Sequence, residues 1–253
     1  MLVIVIGMHR SGTSALAGLL HKHNIIMGED ANFIPKPLPE NPKGFYENYL
    51  FREINDKIAG QYGYKIKSWD INIPHMRKAN IITRYRMKKL LKKYNKKYKK
   101  WGWKDPRTCL TLDIWLRELK NVNLIDSCKI LYIVRDPYAV AKSMVLRKNT
   151  TYENALKLWK IYNERALETI NKYKIDTLYV SYEHLCNEPI KTANFIFKFI
   201  GEHVNENIVN DFIDKGLDNS KTPTNMDRYY IVSDETNKEI KKFKQIIYDK
   251  ILA

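Results

Sequence analysis

The sequence predicts an α/β fold in which helices flank a central parallel sheet. Short, continuously apolar segments rich in β-branched residues alternate with stretches of helical periodicity. Strands that are buried on both faces of a parallel sheet have this continuous hydrophobicity, and the intervening helices supply the crossovers that parallel strands require. The 253 residues contain no internal repeat and no Gly/Ser-rich linker, so we expect one domain over residues 1–253.

Individual elements follow from apolar runs and from helix start and stop signals. Strands are predicted at 2–6, 101–104, 130–134 and 178–180. Helices are predicted at 14–23, after Gly44, at 84–100, at 137–147, from a capping box at Thr150-x-x-Glu153 to about Tyr173, from Asn187/Pro189 to a stop at Gly201, and over the last twenty residues. The proline-rich start of segment 30–75 is predicted to be a loop that covers part of the molecule.

The positive charge of the chain is concentrated in one segment. The net charge is +16, and residues 84–100 contain ten Lys and Arg residues and no acidic residue. Apolar residues recur there every three or four positions, which predicts an amphipathic helix. Two interpretations stay open: a lysine-rich face that is simply solvated, or a surface that steers a polyanionic acceptor or a nucleic acid.

Several classes of protein are disfavoured by composition. The apolar run Leu2–Ile6 is too short to span a bilayer, and no leader pattern surrounds it. Cys109, Cys128 and Cys186 are far apart and form no CxxC or Cys/His motif, which argues against a disulfide framework or a structural zinc site. We therefore expect a cytoplasmic protein with no membrane partner.

The turn after the first strand carries the strongest chemical signal. It has the sequence Gly7-Met8-His9-Arg10-Ser11-Gly12-Thr13-Ser14 and leads into a helix. Backbone N–H groups and the positive end of a helix dipole converge at such a turn, which favours a phosphate-type anion. The two glycines have nucleotide P-loop spacing, but Thr13 stands where that motif has lysine. A turn without a ligand is the alternative.

The same run resembles the 5′-phosphosulfate loop of the sulfotransferase family, whose members use 3′-phosphoadenosine 5′-phosphosulfate (PAPS) as donor. The resemblance implies a P-loop-like three-layer fold and release of adenosine 3′,5′-bisphosphate (PAP). It also implies that residues of this turn bind the donor; these are Arg10, Ser11, Gly12, Thr13 and Ser14.

A second motif resembles the 3′-phosphate site of the same family. Arg135 directly follows the apolar run ILYIV and begins the sequence Arg-Asp-Pro. Ser143 lies eight residues later, in the next predicted helix. An Arg guanidinium matches phosphate oxygens in geometry, and Ser adds a neutral donor. A salt bridge at a strand end is the structural alternative for Arg135.

Three more blocks resemble bacterial and glycan-type members: Asn41-Pro42-Lys43-Gly44-Phe45-Tyr46-Glu47-Asn48, Trp103-Lys104-Asp105-Pro106-Arg107 and Val180-Ser181-Tyr182-Glu183-His184-Leu185. The resemblance implies that Arg10 and Lys104 stabilise charge on the transferred group, that Glu47 is the general base, and that no metal is needed. Glu29 and Asp30 are the other candidates for the base. About sixty C-terminal residues carry no such resemblance.

The implied reaction is transfer of a sulfuryl group to an acceptor hydroxyl. The resembling blocks favour a carbohydrate or another polar acceptor, and the steering interpretation of residues 84–100 would suit an anionic one. An atypical P-loop kinase or NTPase, a basic nucleic-acid-binding protein and an inactive relative acting as a scaffold are the alternatives. The sequence does not indicate an oligomeric state.

Overall fold

A four-stranded parallel sheet forms the centre of the molecule. The computed structural model describes residues 1–38, 41–147, 150–213 and 231–251. The strands are β1 (Leu2–Ile6), β2 (Trp101–Lys104), β3 (Cys128–Val134) and β4 (Thr177–Ser181). Their order in the sheet is β2-β1-β3-β4, with every neighbouring pair parallel. All four carboxyl ends therefore point to one edge, which confirms the predicted α/β class.

Ten α-helices are described around this sheet. They are α1 (Thr13–Lys22), α2 (Tyr49–Gln61), α3 (Ile81–Lys97), α4 (Thr108–Asn121), α5 (Pro137–Leu146), α6 (Tyr152–Tyr173), α7 (Tyr182–Asn187), α8 (Pro189–Ile200), α9 (Glu206–Phe212) and α10 (Asp234–Tyr248). Within this part of the chain, no helix has the length and apolar character needed to cross a bilayer.

The helices form two layers because alternate strand side chains enter two separate cores. Val3 and Val5 face a core shared with α1, α7, α8 and α9. Leu2, Ile4 and Ile6 face a larger core shared with α2 to α6 and α10. The period of two along β1 thus assigns successive residues to opposite faces of the sheet, and the three predicted layers are present.

Three predicted helix boundaries are wrong. The helix expected after Gly44 begins only at Tyr49, because the Asn48 side chain caps it by accepting a hydrogen bond from the Leu50 N–H (3.1 Å). Thr151, not Thr150, caps α6. The lysine-rich helix ends at Lys97, three residues before the predicted end.

Three other helices show where the sequence pattern was and was not informative. Gly201 stops α8 in a left-handed conformation (φ 77°), as expected. The sequence did not predict α4, since ten of its fourteen residues are buried and no polar stripe marks a solvent face. The predicted C-terminal helix is α10; residues 252–253 of that prediction lie outside the described residues.

Candidate active site

The turn between β1 and α1 requires glycine at two positions for steric reasons. A Cβ on Gly7 would lie 2.3 Å from the Ile133 carbonyl oxygen. A Cβ on Gly12 would lie 2.1 Å from the Tyr182 ring, and the φ of +83° at Gly12 also favours glycine. Arg10 itself adopts a left-handed conformation, with φ 71°. The chain is thereby folded tightly between β3 and α7.

The N-terminus of α1 is open to an anion. Its N-cap, Gly12, has no side chain to accept hydrogen bonds from the first-turn N–H groups, and that turn contains no acidic residue. The N-termini of α2 and α5, in contrast, are capped by Asn48 and Asp136. Ser11 and Thr13 are buried beside the free amides. Free N–H groups, hydroxyls and the helix dipole together fit a phosphate or sulfate group.

The two predicted phosphate-binding turns meet at the carboxyl edge of the sheet. Arg10 Nε donates a hydrogen bond to Ser143 Oγ (2.9 Å), and Arg135 Nη1 donates one to the Arg10 carbonyl oxygen (3.2 Å). The Arg135 guanidinium lies over the Tyr182 ring, 4.6 Å from its centroid. Because β1 and β3 are hydrogen-bonded neighbours, both arginines lie beside one site.

A second, buried group of charges lies at the end of β2. Lys104 Nζ donates a hydrogen bond to Glu47 Oε1 (3.0 Å), and Lys104 is only 1% exposed. Arg107 Nη1 and Arg52 Nη1 lie 3.7 and 3.8 Å from Glu47 Oε2. Burial lowers the pKa of Lys104, and the negative charge of Glu47 opposes that shift. One carboxylate thus lies among three cations.

A buried hydrogen-bond network holds the segment after Lys104 in place. Asp105 accepts hydrogen bonds from Asn55 Nδ2 (2.8 Å) and Arg107 Nη1 (2.8 Å). Burial opposes ionisation of Asp105, but Arg107 and the hydrogen bonds outweigh it, so the pKa of Asp105 is lowered. Asn55 Oδ1 in turn accepts from Thr111 Oγ1 and Trp115 Nε1. This network fixes the direction of the chain that carries Lys104.

His9 belongs to the turn and lies near the buried charges of Lys104 and Arg107. Its ring contacts Trp69 edge-on, with centroids 5.0 Å apart, and it also contacts Tyr162. Burial lowers the pKa of His9 well below its usual value, and the nearby Arg107 lowers it further. His9 Nε2 is buried without a hydrogen-bond partner among the described residues. Burial and Arg107 therefore both favour the neutral form of the His9 ring.

Two candidate bases are not part of this arrangement. Glu29 accepts hydrogen bonds from Lys97 Nζ (2.7 Å) and Tyr98 Oη (2.8 Å), which lower the pKa of Glu29. Lys97 and Tyr98 precede β2, whereas Lys104 ends it, so Glu29 lies toward the other end of that strand. Asp30 is exposed. Of the three carboxylates considered from the sequence, Glu47 is the one that contacts Lys104.

The structure adds residues to which the sequence analysis gave no role. Arg52 and Arg107 compensate Glu47, and Tyr182 packs against both Gly12 and Arg135. Arg107 lies in the quoted Trp-Lys-Asp-Pro-Arg block, and Tyr182 lies in the Tyr-Glu-His-Leu sequence. Membership of these blocks was the signal that could have identified both residues. Arg52, on α2, lies in no such block, so no signal in the sequence could have identified it.

Fold and site together define an α/β protein with a P-loop-like anion site at the carboxyl edge of a parallel sheet. The chain belongs to the sulfotransferase family: the model described as "Sulfotransferase family" matches residues 3–206. The predicted identification as a sulfotransferase is thereby confirmed. No curated protein matches the sequence.

Solved structures have the same fold at low sequence identity. The sulfotransferase domain of the Synechococcus PCC 7002 olefin synthase is 17% identical, with a TM-score of 0.57, over 96% of this chain and 94% of that one. The sulfotransferase domain from the curacin biosynthetic pathway is 14% identical, with a TM-score of 0.55, over 96% of each chain. Mouse sulfotransferase SULT7A1, solved with PAP, is 15% identical, with a TM-score of 0.50, over 97% of this chain and 82% of that one.

Proposed function

We propose that this protein transfers a sulfuryl group from PAPS to an acceptor hydroxyl. The observation that carries the proposal is the contact between the two turns: Arg10 Nε to Ser143 Oγ at 2.9 Å and Arg135 Nη1 to the Arg10 carbonyl at 3.2 Å. A donor with separate 5′ and 3′ anionic groups needs two neighbouring anion sites. A nucleoside triphosphate needs one long cradle and a lysine, and Thr13 occupies that lysine position.

In the proposed complex, the 5′-phosphosulfate is held by Arg10, the Ser11, Thr13 and Ser14 hydroxyls and the amides from Gly12 onward. Arg135 and Ser143 hold the 3′-phosphate. The open N-terminus of α1 and the two glycines that permit the tight turn support this assignment. A fold relative solved with PAP is consistent with the same donor.

Transfer breaks the bond between sulfur and the bridging phosphate oxygen and forms a bond between sulfur and the acceptor oxygen. Negative charge then develops on the 5′-phosphate of PAP, where Arg10 and the α1 N-terminus stabilise it. Lys104 supplies a second cation near the sulfuryl group, and Glu47 accepts the acceptor's proton. Support for this pairing comes from the buried contact between Lys104 and Glu47 (3.0 Å).

The proposed acceptor is a carbohydrate or another polar hydroxyl compound. Trp69 packs edge-on against His9 beside the buried charges and is partly exposed, and we assign its indole to stacking on a sugar ring. Tyr46, in the block from Asn41 to Asn48, instead packs among His21, Phe33 and Phe212. Of these two aromatic residues, only Trp69 therefore supports an acceptor contact.

Binding calorimetry tests the donor assignment through the 3′-phosphate. PAP and AMP differ only in that group, so the ratio of their affinities isolates the Arg135 and Ser143 site. We expect the protein to bind PAP at least about 100-fold more tightly than AMP, in EDTA. Ser143→Ala is expected to reduce that ratio by about tenfold, and Arg135→Ala to remove most of it.

Ser68→Ala, in an exposed turn, is the matched control and should leave the ratio unchanged. Equal affinity for PAP and AMP in the unsubstituted protein would contradict the proposal, as would tighter binding of ATP·Mg²⁺ than of PAP. Transfer itself is measured with ³⁵S-labelled PAPS and a panel of sugars. Arg10→Ala should abolish both binding of PAP and transfer.

A further inference from the structure

The outer face of α3 begins with three exposed apolar side chains. Ile81 is 82% exposed, Ile82 64% and Tyr85 66%. They occupy the first two turns of the helix, next to one another. Single exposed apolar residues are common on proteins, but three large ones on adjacent turns form a patch that indicates a binding surface.

Cationic residues continue the same face toward the C-terminus of α3. At 100° per residue, Lys89, Lys92, Lys93 and Lys96 project to the same side as Ile81, Ile82 and Tyr85. All four lysines are exposed, and none makes an ion pair within the described part of the chain. The face from Ile81 to Lys96 is about 22 Å long, with an apolar end and a cationic remainder.

The opposite face of α3 anchors the helix firmly. Met87, Leu90, Leu91 and Tyr94 are buried in the larger core, and Asn48 Nδ2 donates a hydrogen bond to Tyr94 Oη (2.6 Å). The flanking cations are paired: Arg84 contacts Glu118 (2.6 Å) and Lys97 contacts Glu29 (2.7 Å). The outer face is thus rigid and preformed, so little conformational entropy of this helix is lost when a partner binds.

We propose that the outer face of α3 docks the protein onto the surface of an anionic lipid bilayer. Ile81, Ile82 and Tyr85 enter the boundary between headgroups and acyl chains, and the lysines contact lipid phosphates. This proposed association is peripheral and departs from the sequence-based expectation of no membrane partner. It does not depend on the proposed donor or acceptor.

The apolar end distinguishes a bilayer from a soluble polyanion. A nucleic acid or an acidic polysaccharide binds mainly through its charges, and three exposed aliphatic and aromatic groups gain nothing in a bulk-water ion atmosphere. A bilayer surface offers anionic groups and hydrocarbon within a few ångströms of each other. The combination on α3 matches the second surface.

Sedimentation with vesicles tests the proposal on the full chain. Vesicles of phosphatidylcholine alone are compared with vesicles containing about one-third phosphatidylglycerol, in about 0.1 M NaCl. We expect partitioning onto the anionic vesicles only. The combined change of Ile81, Ile82 and Tyr85 to Ser should weaken it at least about tenfold, and the change of Lys89, Lys92, Lys93 and Lys96 to Gln at least about 100-fold.

Matched controls use exposed residues on other helices. Phe195→Ser, with Phe195 43% exposed on α8, controls for loss of an apolar side chain. A variant with Lys198, Lys238, Lys241 and Lys242 changed to Gln controls for loss of four charges. Both should bind anionic vesicles nearly as well as the unsubstituted protein. Circular dichroism of each variant confirms that α3 stays folded.

Four results would overturn the proposal. The first is no binding to anionic vesicles, and the second is an unchanged affinity in the Ile81/Ile82/Tyr85 variant. The third is vesicle binding no stronger than binding to duplex DNA of equal phosphate concentration, and the fourth is a micromolar dimer that the apolar substitutions dissociate. The third result would identify a general polyanion surface. The fourth would identify α3 as an interface between two copies of this chain. Sedimentation velocity without lipid measures the last.

Discussion

The charges around Glu47 and the charges on α3 differ in burial and in ion pairing. Glu47, Lys104, Asp105 and Arg107 are buried, and each lies within 4 Å of an opposite charge. The outer lysines of α3 carry one sign only and are exposed. Desolvation makes an unpaired charge too costly inside the protein, whereas water and salt screen a row of like charges outside.

This difference shows that net charge does not locate the candidate active site. Ten of the 44 Lys and Arg residues lie in residues 84–100, yet the cations beside Glu47 are Arg52, Lys104 and Arg107. A buried cation that contacts a carboxylate is held in a fixed position. Stabilisation of the charge that develops in a transition state requires such preorganised groups. The effects of substitutions on turnover and stability should therefore differ between the two regions, both in size and in salt dependence.

The largest expected effect is on turnover in Glu47→Gln. The amide retains the shape of the carboxylate but cannot accept the acceptor's proton, so kcat should fall by about 10²- to 10⁴-fold. The affinity for PAP should change less than about threefold, because Glu47 contacts Lys104 and not the donor turns. Initial rates and calorimetry measure the two quantities separately.

Glu53→Gln is the matched control, since Glu53 lies on α2 and its ion pair is with Lys57, away from the charges around Glu47. It should leave kcat unchanged. If Glu47→Gln retains full turnover, the base lies elsewhere, and Glu29→Gln is the next variant to measure.

The next largest effect is on stability in Asp105→Ala. Arg107 would lose a buried partner at 2.8 Å, and Asn55 Nδ2 would lose one of its two acceptors, keeping only Thr108 Oγ1. Removing one member of a buried ion pair typically costs about 3–5 kcal/mol of unfolding free energy. Urea denaturation measures the loss. Asp126→Ala, at an exposed turn, should cost less than about 0.5 kcal/mol; comparable losses in the two variants would show that the buried network has no special weight.

A smaller effect is expected in the pH dependence of stability through His9. Its pKa is well below normal in the folded state, mainly because of burial, and about 6.5 in the unfolded state. Above that value both states carry a neutral ring; below it only the unfolded state binds the proton. Unfolding free energy should therefore fall by about 1.4 kcal/mol per pH unit as pH drops below about 6.5.

His9→Gln should remove this component, so the difference between its stability and that of the unsubstituted protein should narrow with acidification from pH 7 to 5. His203→Gln, at an exposed position, controls for loss of an imidazole. Parallel pH profiles for His9→Gln and the unsubstituted protein would mean that His9 has the same pKa in the folded and unfolded states.

Most of the fold was predictable because its signals are local. Continuous apolar runs predicted all four strands, and Gly201 predicted the end of α8. The nearly fully buried α4 has no stripe, so periodicity could not find it. The capping residue of α6 differs from the prediction by one position because Glu153 hydrogen-bonds Ser233 and Thr236 near the start of α10, contacts that only the folded chain creates.

The candidate site was predictable where residues are adjacent in the sequence. The run from Gly7 to Ser14 and the pair Arg135 and Ser143 were identified, and the structure places them together. The contact between Glu47 and Arg107 could not be predicted, because it joins the segment before α2 to the turn after β2. Arg52 lies only five residues from Glu47, but no motif marks it as a partner. The catalytic and binding roles of these residues, and the cytoplasmic location, stay predictions.

The smallest expected effect is on α3 and has the opposite sign. Lys92 lies four residues from both Lys88 and Lys96, and like charges at that spacing destabilise a helix by about 0.2–0.5 kcal/mol per pair. Lys92→Gln should therefore stabilise the protein by about 0.5 kcal/mol at low salt. The gain should disappear near 1 M NaCl, where the screening length falls to about 3 Å.

Lys57→Gln is the matched comparison on α2, because Lys57 forms an i,i+4 ion pair with Glu53. It should lose a few tenths of a kcal/mol at low salt and nothing at high salt. Urea denaturation at the two salt concentrations gives both values. Opposite signs for Lys92→Gln and Lys57→Gln would establish that the lysines of α3 repel one another in the folded protein. A destabilising Lys92→Gln at low salt would instead mean that Lys92 is compensated, and the contrast with the buried charges around Glu47 would no longer hold.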